Sequence, residues 1–317
     1  MSWRALHFLS VGLLVLSSNQ LLAEVSAPYC ATFNATANSV AIPCVTYRGS
    51  AYNAKLNLIS SDPMRFAISE LSTSSLPAVT GQCATYNDET GNIGLPCVKV
   101  GDIRAWSKLK LGSNNVASLV GFGGSVPDGC IPLTNPGSGT TVTVSGKGEA
   151  SFDVAVVKVR NNTNQRQCYC IGPCTLLKNS MADQQDLTVA RSASVCLESG
   201  QAGEVGVYGF CANADKSTPA NLVPMSITKE TRNDLCALTQ AIEREGDDLT
   251  SAVIAQFAVW AMTDSQNPLT GSLEQIKTLY REAGLEPATY PGLAKGLSLP
   301  TDIPVDLPFE IPTDIEK

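Results

Sequence analysis

The sequence predicts a mainly β protein with a C-terminal α+β portion, in which N-terminal β-hairpin repeats precede a β-rich domain with about three helices. Three observations favour this fold class. Two cysteine-bounded segments resemble each other at a fixed offset, alternating strand-like runs continue to about residue 211, and helical periodicity is confined to the last third. The 317 residues, 44% apolar and 16% charged, suffice for two compact domains plus tails.

Residues 1–23 are predicted to be a secretory signal peptide. Arg4 is the charged residue at its start, residues 8–16 form the apolar core, and Ala23 precedes the expected cleavage site. The apolar run is too short for a transmembrane span, and no later stretch qualifies. We therefore expect a secreted or cell-surface protein, with the periplasm as the alternative compartment.

The mature sequence has no histidine, because the only one, His7, lies in the predicted signal. This excludes Ser-His-Asp and Cys-His nucleophile pairs, His-ligated zinc or copper, and haem attached through CxxCH. No metal and no cofactor is predicted. Without Arg4 the chain has 21 basic and 29 acidic residues, a net charge of −8, which does not suit nucleic acid or anionic lipid. The expected partners are a surface protein, a polysaccharide or other copies of the chain.

Residues 24–112 are predicted to be a domain of two β-repeats. The segments 30–58 and 83–111 align without a gap at an offset of 53 residues, and each has a turn between two strand-like runs. Turn-forming residues lie at the tip of the second, at 87–92. The segments resemble short β-repeats of secreted bacterial proteins, which implies nothing about activity.

Two cysteines flank the turn of each repeat at equal distances from its midpoint. Opposed cysteines in a hairpin can be bridged across the strands, and closing a 15-residue loop stabilises by about 3 kcal/mol in the chain-entropy treatment. We therefore expect two separate local disulfides, Cys30–Cys44 and Cys83–Cys97. A calcium site at the acidic tip of the second repeat is the weaker interpretation, because carboxylates in turns usually face solvent.

The chain contains eleven cysteines, an odd number. One thiol must be free, paired between chains or used in another covalent bond. Three cysteines in QCYCIGPC are too close to bond easily among themselves and are expected to reach distant partners, with a soft-metal site as the alternative. The sequence leaves open the pairing of six residues: Cys130, Cys168, Cys170, Cys174, Cys196 and Cys236.

Residues 113–285 are predicted to be a β-rich domain that ends in three helices, at 228–245, 251–264 and from Ser272 to Gly284. The second, SAVIAQFAVWAMTD, is apolar nearly all round, as expected of an enclosed helix. Its single amide, Gln256, shares a face with Val253 and Trp260. A buried glutamine must be hydrogen-bonded, and the ordinary account is a bond to the backbone of a neighbouring loop. The alternative is a chemical role for Gln256, and such a role requires a cysteine.

The pair formed by VYGFC and IAQFAVWAMTD resembles the two signatures of bacterial thioester domains, in which a strand cysteine and a Q-x-A-[IV]-W helix form an internal Cys–Gln thioester. The resemblance implies that Cys211 is the thiol and Gln256 the acyl donor, with Ala258 and Trp260 as flanking helix positions. Cys196, on another predicted strand before the helices, is the alternative thiol.

A second group, of uncharacterised secreted bacterial proteins, shows a similar Cys-x4-K-x2-P stretch before such a helix. Cys211, Lys216 and Pro219 match it. Membership of that group would imply the fold but no known reaction.

Residues 286–317 are predicted to be an extended Pro-rich tail. Proline recurs at every fourth position from 300 to 312, which forbids a helix or a central strand. The tail either docks on its own body or another subunit, or is a solvated tail.

The leading interpretation is an exported binding or structural protein of a cell surface or extracellular matrix, not an enzyme, with an internal thioester as its reactive group. One alternative is a structural subunit of an extracellular assembly with no reactive bond. Another is a secreted hydrolase that uses acidic residues only.

Overall fold

A computed structural model of the chain describes residues 29–245, 249–264 and 272–294. The protein is mainly β, with 52% strand and 17% helix, and its helices lie at the C-terminal end, which confirms the predicted fold class. The predicted signal peptide and the Pro-rich repeat at 300–315 lie outside the described residues.

The N-terminal part is one eight-stranded sheet with the order β1-β2-β3-β4-β8-β7-β6-β5, in which β1 also pairs with β6 and β2 with β5. Its strands are β1 (Ala31–Asn34), β2 (Ser39–Tyr47), β3 (Ser50–Ser61), β4 (Met64–Thr73), β5 (Ala84–Asn87), β6 (Asn92–Val100), β7 (Ile103–Leu111) and β8 (Val116–Pro127).

The sheet encloses its own apolar core. Val40 lies opposite Leu56 across β2 and β3, and Ile93 lies opposite Leu109 across β6 and β7 in the corresponding register. All four side chains are buried, so alternate residues of these strands form one inner face. The sheet extends past the predicted boundary at residue 112, because β8 pairs with both β7 and β4.

The second part is built from nine further strands. They are β9 (Ile131–Pro132), β10 (Thr140–Lys147), β11 (Ser151–Asn161), β12 (Gln167–Ile171), β13 (Thr175–Asn179), β14 (Asp186–Val189), β15 (Ala193–Leu197), β16 (Ala202–Ala212) and β17 (Asn221–Lys229). Six of them close into a barrel in the order β10-β11-β16-β14-β13-β17, and β15, β12 and β9 form a small separate sheet. Val157 and Val159 of β11 and Val205 and Val207 of β16 alternate into the barrel core.

Among the described residues, four α-helices follow the barrel: α1 (Asn233–Glu243), α2 (Leu249–Thr263), α3 (Leu273–Glu282) and the short α4 (Pro291–Ala294). The first begins later than predicted, because β17 continues to Lys229 in register with β13. The predicted tail is also helical at its start, with a 3-10 turn at Pro287–Thr289 before α4. No helix in the described ranges is long and apolar enough to cross a membrane.

The helices join the two parts of the molecule. α2 packs against β16 of the barrel, while α3 lies beside β5 and α1 beside β6 of the N-terminal sheet. The buried faces of α1, α2 and α3 belong to the same apolar core as the barrel strands. α2 is therefore enclosed on several sides, as its nearly uniform apolar sequence predicts.

Candidate functional site

Ten of the eleven cysteines form five disulfides, and Cys211 is the one free thiol. Its side chain is fully buried. The odd cysteine that the count requires is therefore the residue that the thioester motif marks.

The predicted local bridges of the repeats are wrong. Cys30 bonds to Cys97 and Cys44 to Cys83, so each disulfide joins one repeat to the other. The four cysteines are the predicted set, but their partners are exchanged.

The strand register explains the exchange. β1 runs parallel to β6 with Ala31 opposite Val98, so the preceding residues, Cys30 and Cys97, are neighbours on adjacent strands. β2 and β5 repeat this parallel arrangement at the second disulfide. Equal distance from a turn does not specify the pairing. Strands of the two repeats lie side by side, so each cysteine of one repeat is next to a cysteine of the other.

The cysteines of QCYCIGPC reach distant partners, as predicted: Cys168 bonds to Cys196, Cys170 to Cys130 and Cys174 to Cys236. The soft-metal alternative for these three residues is wrong, because each sulfur is in a disulfide. Cys196 as the alternative thiol is wrong for the same reason. The last of these bridges ties α1 to the segment before β13.

Cys211 lies next to the end of β16, where the strand loses its neighbour on one side. Ser151, the first residue of β11, pairs with Phe210, so beyond that point β11 offers no further ladder partner. The Cys211 N–H donates to the Ala150 carbonyl at 3.0 Å. On the other side of the strand Leu187 of β14 lies opposite Cys211.

Gln256 of α2 completes this open edge. Its Oε1 accepts from the Cys211 N–H at 3.1 Å, and its Nε2 donates to the Cys211 carbonyl at 2.8 Å. The Cys211 N–H is thus shared between the Ala150 carbonyl and Gln256 Oε1, and Gln256 Nε2 takes the place of a neighbouring strand's N–H at the Cys211 carbonyl. Gln256 is 3% exposed, and the two bonds satisfy a carboxamide that would otherwise be costly to bury. Gln256 binds a neighbouring backbone, as the ordinary account expects, but that backbone belongs to strand β16 and not to a loop, and the bonded residue is the candidate thiol Cys211.

Of the two flanking positions, Ala258 ties α2 to another helix, whereas the ring contact of Trp260 lies within α2. The Ala258 carbonyl accepts a hydrogen bond from the Tyr280 hydroxyl of α3 at 2.9 Å. Trp260 packs edge-to-face on Phe257, with ring centroids 5.6 Å apart, and its buried Nε1 has no partner among the described residues. Asp264, just after the helix, accepts from the Ala214 N–H at 2.9 Å and so holds the chain that follows Cys211.

The Cys211 thiol has low nucleophilic reactivity when it is not part of a thioester. Burial raises its pKa to about 12, because the thiolate would lose its hydration. The thiol is therefore protonated at neutral pH. Its one distinctive property is its placement: a desolvated carboxamide, held by two hydrogen bonds, lies against the same residue.

A cleft of about 670 Å³ opens between the N-terminal sheet and α1, α2 and α3. Tyr208 and Phe210 of β16 and Ala252 and Ala255 of α2 contribute to its lining. The immediate chain neighbours of both Cys211 and Gln256 therefore line this cleft, although these two residues do not. The sequence gives no signal for it, because its walls come from separate parts of the chain.

A buried polar cluster joins the two parts beside the cleft. Glu282 of α3 accepts side-chain hydrogen bonds from Asn87, Thr90 and Asn92 at the tip of the β5–β6 hairpin, at 2.7 to 3.2 Å. The buried Arg244 donates to the Glu282 carbonyl at 3.3 Å. The sequence does not predict this cluster, because Arg244 and Glu282 look like ordinary polar residues at the ends of helices.

Comparison of the chain with protein-family models, with curated proteins and with solved structures finds no match. Five disulfides fit an extracellular protein, because disulfides persist in oxidising compartments.

Proposed function

We propose that this protein attaches covalently to a surface protein or polysaccharide through an internal thioester between Cys211 and Gln256. The observation that carries the proposal is that the one free thiol belongs to the residue whose backbone binds the Gln256 carboxamide. The resemblance of the two motifs to thioester domains supports it independently.

The reaction needs two steps. The Cys211 sulfur adds to the side-chain carbonyl carbon of Gln256, the C–N bond breaks, and the nitrogen leaves as ammonia with the thiol proton. An external amine or hydroxyl then bonds to the same carbon, the C–S bond breaks, and the sulfur recovers a proton. Each protein molecule reacts once, so the product is a covalent tether and not the result of turnover.

The test is the intact mass of the mature protein with its disulfides oxidised. We expect a mass lower than the all-disulfide value by one ammonia, and methylamine should then add to Gln256. Cys211→Ala and Gln256→Glu should each abolish the methylamine adduct. Gln240→Glu is the matched control, because Gln240 is a buried glutamine of α1 whose amide contacts the sulfurs of the Cys174–Cys236 disulfide, which has no free thiol, and it should keep both properties.

A structural subunit with no reactive bond is the second candidate. It is favoured by the two hydrogen bonds that already satisfy Gln256. A protein of full mass that is inert to methylamine and titrates one thiol after unfolding would establish this candidate and end the thioester proposal.

A further inference from the structure

Within the described residues, strand β8 has an unpaired edge on the side of β4. Residues 65–67 of β4 pair with residues 116–118, and from residue 119 to residue 127 the ladder partner of β8 is β7 alone. β15 lies beside β8, but no ladder joins these two strands. The backbone N–H and C=O groups along this edge can therefore bind a further strand.

This edge lacks the charged side chains that usually protect such an edge. Residues 119–127, LVGFGGSVP, include no Lys, Arg, Asp or Glu, and Val120 and Phe122 are 56% and 46% exposed. Phe122 lies opposite Ser107 of β7, which is two residues from Leu109 of the sheet core, so the Phe122 ring is on the inner face. An inward ring that is half exposed shows that the sheet is incomplete here.

The unpaired part of β4 is protected in the usual way. Its residues 68–73 carry an exposed carboxylate, Glu70, which pairs with Lys55 of β3 at 3.2 Å. An added acidic strand would be repelled by Glu70. The edge of β8 is therefore the better dock for such a strand.

The C-terminal segment has the alternation of a strand with one apolar face. From 297 to 315 every odd-numbered residue is Leu, Thr, Ile, Val or Phe, and every even-numbered residue is Ser, Pro, Asp or Glu. A period of two places all the odd-numbered side chains on one face when the backbone is an extended strand. The proline repeat of four residues fits this pattern, because four is a multiple of two.

The prolines restrict such a strand to one hydrogen-bonding edge. In a strand the N–H and C=O of one residue point to the same edge, and successive residues alternate between the two edges. Pro300, Pro304, Pro308 and Pro312 are all even-numbered, so the missing N–H groups all fall on one edge. The odd-numbered residues keep every N–H for the other edge. The segment therefore suits the border of a sheet, where its proline edge recruits no further strand.

We propose that residues 300–315 dock on residues 119–127 of their own chain as an additional strand of the N-terminal sheet. The added strand takes the row of β4 on the far side of the β3–β4 turn. Its apolar side chains lie beside Phe122 on the inner face. Its acidic side chains lie on the outer face with Arg65, which precedes the buried, inward Phe66.

The chain is long enough to reach this edge. The sequence continues for 23 residues after Ala294, which span about 80 Å when extended. Nine residues match the unpaired length of β8, so the rest serve as the connection.

The test is hydrogen–deuterium exchange of the mature, oxidised protein, resolved to single residues. We expect the odd-numbered amides from 303 to 311 to be protected, and those of Asp302, Asp306 and Glu310 to exchange as in an unstructured chain. This alternation is specific to a strand bonded along one edge, because a polyproline II segment or a solvated tail protects none of these amides.

Two proline substitutions form a matched pair. Val305→Pro removes an N–H from the bonded edge and should make the amides of β8 that face the unpaired edge exchange at least about tenfold faster. Asp306→Pro removes an N–H from the edge that already carries the prolines, and should leave the exchange of β8 unchanged.

Light scattering identifies which chain supplies the strand. A monomer with the alternating protection, lost in Val305→Pro and kept in Asp306→Pro, establishes docking within one chain. The same protection in a dimer that dissociates in Val305→Pro overturns it in favour of a second copy. Unprotected odd-numbered amides, or equal exchange of β8 in wild type and both variants, overturns the added strand itself.

Discussion

The buried carboxyl of Glu243 should make the stability of this protein depend on pH. Glu243 is 7% exposed at the C-terminal end of α1, and its Oε1 accepts from the Ser192 N–H at 2.5 Å. Burial raises its pKa from 4.5 to about 7, against the opposing effects of the Ser192 hydrogen bonds and of the charges on Arg244 and Arg191.

The sign follows from proton binding. Between pH 4.5 and about 7 the folded state holds the Glu243 proton, whereas an unfolded chain with an ordinary glutamate has released it. The contribution to stability is therefore fully present below the unfolded pKa and is lost as the pH rises through the folded pKa. A shift from 4.5 to about 7 corresponds to about 3 kcal/mol.

Glu243→Gln isolates this contribution, because glutamine keeps the shape and the acceptor oxygen but does not titrate. The free energy of unfolding of the variant minus that of wild type should rise by about 3 kcal/mol from about pH 4 to about pH 8. Denaturant unfolding with the disulfides intact measures it, and Glu204→Gln, at an exposed position, controls for the loss of one carboxylate. Parallel pH profiles for wild type and Glu243→Gln would refute the reasoning.

Three further predictions concern the contacts between repeats and between the two parts. Replacing Cys44 and Cys83 together by alanine should lower the unfolding free energy by about 4 kcal/mol, because their bridge spans 39 residues, and non-reducing peptide mapping of wild type should show this pair. Gly94→Ala should cost about 1–3 kcal/mol in denaturant unfolding, since its Cβ would lie 2.9 Å from the buried Arg244 guanidinium. Glu282→Ala should lower the free energy of unfolding by about 3 kcal/mol, measured by denaturant unfolding, because three side-chain donors lose their acceptor.

Matched variants distinguish these effects from general damage. Gly206→Ala places a Cβ at an ordinary 3.4 Å contact on β16 and should be close to neutral. Peptide mapping that recovers Cys30–Cys44 would contradict the exchanged disulfides. An unchanged stability of Gly94→Ala would mean that the Arg244 guanidinium lies elsewhere.

Local patterns predicted much of the fold because they report local structure. The strand-like runs of β11 and β16 were predicted as strands, and the apolar sequence of α2 predicted an enclosed helix. The beginning of α1 was less well predicted, because the alternation of β17 continues into residues that also fit a helical period.

Features that depend on contacts between distant segments could not be predicted in the same way. The hairpin geometry of each repeat was compatible with local disulfides, and only the parallel pairing of β1 with β6 selects Cys97 as the partner of Cys30. The Glu282 cluster joins residues about 190 positions apart, so no sequence window contains it.

The two hydrogen bonds between Gln256 and Cys211 have different consequences if Gln256 is a structural glutamine and if it is the acyl donor of a thioester. For a passive glutamine they are the final state, in which the Gln256 amide oxygen and nitrogen and the Cys211 N–H and carbonyl all have partners. If ammonia leaves, the Cys211 carbonyl loses its Nε2 donor, and an unsatisfied buried acceptor costs about 1–3 kcal/mol. Thioester formation must offset that cost, and the burial that raises the thiol pKa also keeps water from hydrolysing the bond. A thioester here would thus form slowly and last long, so the ammonia deficit should increase with time after folding and then persist.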